Sequence, residues 1–252
     1  MFKKKKQQKL TVPKTILEYD SSSGYSKIVR PAVTMTPDWY KQTKRWVEIP
    51  EDLNYGMPEW PGLKHCMPFL DALGLGYYIL LDQDVTFKRV DGRIVVEWDK
   101  KLEDELGRPL EARPPHVTNP MVGPAGYGDE FEHFHWFLHV SIRPPDGYSM
   151  IITHPFNRFE LPFYTLTGVV DDYAMPGANA SFYLRKDFEG TIPAGTPIAQ
   201  VIPFRREEWK LKQNPSMWHE SRSETWSSSS PKLDELLDGW YRKNIWKKKS
   251  YR

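Results

Sequence analysis

Three of the seven histidines in this 252-residue chain, His133, His135 and His139, are spaced for metal chemistry. On a strand His133 and His135 face one side about 7 Å apart, a chelating separation. His139 follows on the same odd-numbered face, with Glu130 and Glu132 on the other. A metal needs three or four donors and groups that orient them. The favoured reading is therefore strand histidines that meet solvent or hydrogen-bond partners, with no metal or other cofactor. Asp171, Asp172 and Tyr173 form a second group. A carboxylate at a strand end can act as a general base when a substrate desolvates it, and the simpler reading is a polar turn between strands. Arg158, Arg205 and Arg206 offer guanidinium forks suited to carboxylate or phosphate. Surface ion pairing is the commoner use.

These residues depend on β structure for their placement. Between Pro144 and Pro203, short hydrophobic runs at Ile151–Ile152, Val169–Val170 and Ile198–Ile202 are closed by Gly and Pro, which predicts strands joined by tight turns. Further strands are expected at Tyr77–Leu81, Val85–Val90 and Arg93–Trp98. Asp91-Gly92 supplies the positive φ that a two-residue hairpin turn requires. Phe134, Trp136, Leu138, Val140 and Ile142 alternate, predicting one strand from Phe131 to Ile142. Residues 99–129 are charged and rich in Pro and Gly, and read as a long surface loop.

The fold class is mainly β, with a single β-sandwich or barrel-like domain over residues 61–208. An extended arm over residues 1–60 precedes it, with a short helix expected after Thr36-Pro37-Asp38. The arm is too poor in apolar residues to fold alone. It is expected to wrap over the domain or a neighbouring subunit, anchored by Trp39, Tyr40 and Trp46. Residues 209–230 read as a linker, and 231–252 as an amphipathic helix with a basic tail. Leu233, Leu236, Leu237, Trp240, Tyr241 and Ile245 make its apolar stripe. The 22 prolines argue against long helices before that point.

Charge and cysteine content narrow the function. A net charge of +2 argues against a dedicated nucleic-acid binder. The basic ends, Lys3–Lys6 and Lys247–Lys249 with Arg252, read as solvated tails rather than DNA contacts. One cysteine, Cys66, forbids an intramolecular disulfide and fits a reducing compartment. No apolar run approaches the roughly 20 residues of a membrane span. A soluble protein without a standard secretion signal is expected.

Three resemblances bear on function. HxHxxxH at His133–His139 is similar to half of a cupin metal motif and IPAGTP to part of the other half, with Ile198 where a histidine belongs. GVVDDY at Gly168–Tyr173 and GTPIAQVIPF at Gly195–Phe204 resemble motifs of trimeric dUTPases. That resemblance implies a dUTPase-like β fold, with Asp171 activating water and Tyr173 stacking on deoxyribose. The first motif is one residue short before Tyr173, Pro197 replaces an arginine, and HPFNR at His154–Arg158 stands where a phosphate-binding loop is expected. Over roughly residues 60–210, KHCMPFLDALGLGYYILLDQDVTF, PPDGYSMIITHPFNRF, TGVVDDY and GTPIAQVIPFRREEW together resemble an uncharacterised family encoded by tailed bacteriophages. It implies a protein made in the bacterial host cytoplasm.

The expected function is a non-enzymatic structural or assembly protein of the phage particle. Its terminal extensions would dock on other structural proteins and on its own copies, with Trp39, Trp46, Trp240 and the three arginines as the candidate binding residues. The alternatives are an enzyme related to dUTPases or dCTP deaminases, and a cupin-like metalloprotein.

Overall fold

The run Pro197-Ile-Ala-Gln-Val-Ile is buried without interruption, as a strand must be when sheet neighbours flank it and layers cover both faces. The fold is arranged around it. The computed structural model describes residues 15–21, 28–53, 59–112, 133–173, 179–217 and 240–251.

The first strands in chain order are β1 (Glu18–Ser21), β2 (Val29–Pro31), β3 (Trp46–Glu48), β4 (Glu59–Pro61), β5 (Tyr77–Leu80), β6 (Val85–Val90), β7 (Arg93–Glu97) and β8 (Leu110–Ala112). They continue with β9 (His133–Phe137), β10 (Val140–Arg143), β11 (Tyr148–Thr153), β12 (Phe163–Thr165), β13 (Gly168–Val170), β14 (Asn179–Leu184), β15 (Gly190–Ile192) and β16 (Pro197–Arg205). Among the described residues the α-helices are α1 (Asp38–Gln42), α2 (Met67–Leu73), α3 (Lys100–Leu106) and α4 (Trp240–Asn244).

The chain is mainly β, and its strands pair antiparallel throughout the described residues. One sheet has the order β13-β11-β16-β5-β2 and faces another of order β12-β14-β9-β8 across a shared core. The β15-β6-β7 sheet and the β1-β10 pair close the sandwich. Met150, Ile152, Ile79 and Val201 enter that core from the first sheet, and Phe134, Trp136, Phe182 and Leu184 from the second. Trp136 stacks on Phe182 with ring centroids 3.9 Å apart. Pro203 lies beyond the last residue that pairs with β5, where only β11 flanks the strand and a missing N–H costs least.

The Asp91-Gly92 turn has φ of 50° and 74°, the positive pair a hairpin of this kind needs. Alternation in the following strand holds too: Ile94 and Val96 pack on the core while Val95 is exposed. Two expectations are corrected. The strand predicted over Phe131–Ile142 is two strands in different sheets, broken at His139, whose φ is 46°. Leu138, Val140 and Ile142 are nevertheless buried. Period-two alternation reports burial, and a chain that bends around a core preserves burial while changing sheet. The loop expected over 99–129 contains α3 and β8. Asp99 caps that helix by accepting from Lys101 N–H, and Gly107 ends it at φ 85°. The arm also lies against the domain before residue 61. β1 pairs with β10, Ile28 is a core residue, and β2 is an edge strand of the main sheet.

The described part of the C-terminal region, α4 and residues 245–251, also turns back on the domain. Trp246 Nε1 donates to Asp71 at 2.8 Å, Lys249 pairs with the same carboxylate, and Tyr251 meets Tyr77 edge-on. Asp71→Ala is expected to free this tail and speed tryptic cleavage at Lys247–Lys249. Limited proteolysis tests this, and an unchanged rate would show that Asp71 does not hold the tail. Lys3–Lys6, Trp218, Trp226, Glu130, Glu132 and the helix start at Ser230–Asp234 lie outside the described residues, as does the side chain of Trp240.

Candidate functional site

The histidines do not converge. His133 and His135 project from β9 away from Phe134 and Trp136, and both are buried there. Their rings are 5.1 Å apart, His133 packs on Tyr183, and His135 lies 2.6 Å from Asn179 Oδ1 and 3.2 Å from Ser181 Oγ. His139, turned away by the break after β9, meets Asp82 at 2.7 Å instead. Among the described residues, no three His, Cys, Asp or Glu side chains gather as a metal site would require.

The Asp171 turn ties strands together. Ser149 Oγ donates to Asp171, Arg206 approaches the same carboxylate at 3.7 Å, and Arg143 binds Asp172 at 3.0 Å. Asp171 itself remains 72% exposed. Tyr173 is a core residue whose hydroxyl donates to the Asn179 carbonyl, and burial pushes its pKa up. Its backbone also bonds Ile142 in both directions. A ring enclosed this way presents no open face, unlike the sugar-stacking role that the dUTPase resemblance implies.

Of the arginines, Arg205 approaches Glu207 at 3.6 Å and stays on the surface. Arg158 is only 11% exposed. Its guanidinium bonds Glu160 and the Met35 carbonyl and lies 5.8 Å from the Tyr78 ring. That arginine is engaged within the fold, with Glu160 as its anionic partner. Trp39 is an internal anchor: its Nε1 donates to Glu160 at 3.0 Å, among the rings of Tyr40, Phe69 and Phe159. Trp46 lies in the β3–β4 ribbon with its ring 4.7 Å from His65.

A cleft of about 350 Å³ opens beside this cluster. Residues 153–159 wall it on one side, with Tyr164 and Thr167 opposite. Pro155 and the αL residue Asn157, at φ 57°, bend the loop sharply after β11. Gln200, fully buried in β16, then locks it. Its Oε1 accepts from Phe156 N–H at 2.7 Å, and its Nε2 donates to the carbonyls of Ala72 and Leu75. His154 Nδ1 accepts from Thr165 N–H at 3.3 Å, its ring stacks on Tyr164, and it also bonds the Arg158 backbone. Burial lowers its pKa to about 4. A larger hollow of about 410 Å³ beside β15 contains Arg185 and Asp187, 3.7 Å apart and answering each other's charge.

The HPFNRF stretch signals a tight turn in the sequence, but nothing there shows that Gln200, more than forty residues on, holds it in place. No protein-family model and no curated protein matches the chain. Among solved structures it aligns with a mutant dUTPase from phage phi11 of S. aureus, described as coordinating a structural Mg(II) ion. The identity is 15%, the TM-score 0.24, and the alignment covers 42% of this chain and 96% of that one.

Proposed function

We propose that this chain is a non-enzymatic structural or assembly protein of a tailed-phage particle, built in the host cytoplasm and docking on its own copies and on other structural proteins. The observation that carries the reading is the segment after β16. Residues 206–214 have no regular structure, yet they display Trp209 at 87% and Leu211 at 100% exposure. The two side chains lie two positions apart in the chain and both stand in solvent. Apolar side chains held this far into solvent fit a contact made in an assembly, and Trp is the commonest kind of interface anchor. The groups available for chemistry support the same reading, since Tyr173 and Arg158 are bound into the fold.

Loss of an anchoring Trp–Leu pair should weaken self-association by about 30-fold, the equivalent of roughly 2 kcal/mol. Light scattering of the full chain and of W209S/L211S across a concentration series measures this. Quantitative mass spectrometry of purified particles tests the location: a fixed ratio to the major capsid protein is expected. Absence from particles, or hydrolysis of dUTP or dCTP that Asp171→Asn abolishes, would overturn the proposal in favour of a nucleotide enzyme.

A further inference from the structure

We propose that the cleft walled by residues 153–159 binds a neutral saccharide, presenting an amide and a hydroxyl to its hydroxyl groups and an aromatic ring to its apolar face. This assignment is independent of the assembly role. The first argument is charge. Among the described residues, the one cation on the cleft wall, Arg158, is bound by Glu160 and the Met35 carbonyl, while the buried His154 accepts from Thr165 N–H at Nδ1, bonds the Arg158 backbone, and has its pKa lowered by burial to about 4. The described wall therefore has no spare positive charge with which to hold a phosphate or carboxylate.

The second argument is the unused hydrogen-bonding capacity. Asn157 lines the cleft, and its amide makes no hydrogen bond among the described residues. A side-chain amide sets a donor and an acceptor side by side, the arrangement that pairs with two adjacent hydroxyls. Thr153 and Thr167 hydroxyls are 2.7 Å apart across the floor. One proton serves that contact and the other is left for a ligand.

The third argument is apolar surface. Phe159, on the rim, is 70% exposed and braced from behind by Trp39 at 6.0 Å. Rings with open faces beside neutral polar groups suit a ligand with one CH-rich face and a hydroxylated edge. The volume lies at the small end of ligand sites, which start near about 300 Å³. The wall is also rigid before any ligand arrives, because Gln200 and backbone bonds from Arg158 to Pro155 and Leu161 to Arg158 fix it. A preformed site loses less entropy on binding.

The test uses the full chain and ligand-observed NMR with neutral oligosaccharides of glucose, galactose, mannose and N-acetylglucosamine, and with dUMP and inorganic phosphate as charged probes. Saturation transfer to at least one neutral sugar is expected, and none to the charged probes. Asn157→Gly removes the amide while suiting the positive φ, so the backbone is preserved. Phe159→Ala removes an exposed ring. Each should weaken sugar binding about tenfold or more, with thermal unfolding unchanged. Transfer to no neutral sugar, preference for dUMP or phosphate, or binding unaffected by both substitutions would overturn the assignment.

Discussion

Gln200→Leu is expected to lower the stability of the fold by about 3–4 kcal/mol, seen as a fall of about 10 °C in the unfolding midpoint. The side chain is fully buried and joins three backbone groups from two distant segments: Phe156 N–H beside the cleft, and the Ala72 and Leu75 carbonyls at the end of α2. Leucine has a similar volume but no polar atoms, so those groups would lose their partners together. A stranded donor or acceptor costs about 1–3 kcal/mol each, more than the bond itself contributes. The loop should loosen as well, and amide exchange at Phe156 should quicken more than at Ile152 in the neighbouring strand. A loss below about 1 kcal/mol would mean that water replaces the amide and that Gln200 is not the lock.

Acid should weaken the protein through His154. Its folded pKa of about 4 lies below the ordinary 6.5 because burial penalises the imidazolium. Between those values the unfolded chain takes up a proton that the folded chain refuses. The stabilising contribution is therefore complete above pH 6.5 and is lost as pH falls towards 4, up to about 3 kcal/mol. His154→Gln keeps groups able to accept from Thr165 N–H and bond the Arg158 backbone, without a titrating ring. Urea unfolding at pH 7.5 and 4.5 should show wild type losing more than the variant by most of that amount. Equal losses would assign the acid sensitivity to other groups.

Much of the fold was written locally. The Asp91-Gly92 hairpin, the alternating strand after it and the buried run of β16 are properties of adjacent residues, which is why they could be read directly. The short helix after Pro37 was legible for the same reason. α3 was hidden because its signal is a cap at Asp99 and a glycine at Gly107, within a stretch whose charge suggested a loop. The candidate chemistry was mostly illegible. Whether a histidine chelates, a tyrosine stacks or an arginine binds an anion depends on what stands across from it, and those partners are far away in the chain. His139 meets Asp82, Trp39 meets Glu160, and Arg158 lies against Met35 and Tyr78. The sequence by itself determined which residues are apolar, where the chain turns and therefore that a β-sandwich forms. Only the tertiary structure decided which polar groups that packing uses up, because side-chain partners are chosen by the crossing of distant strands and not by spacing along one of them.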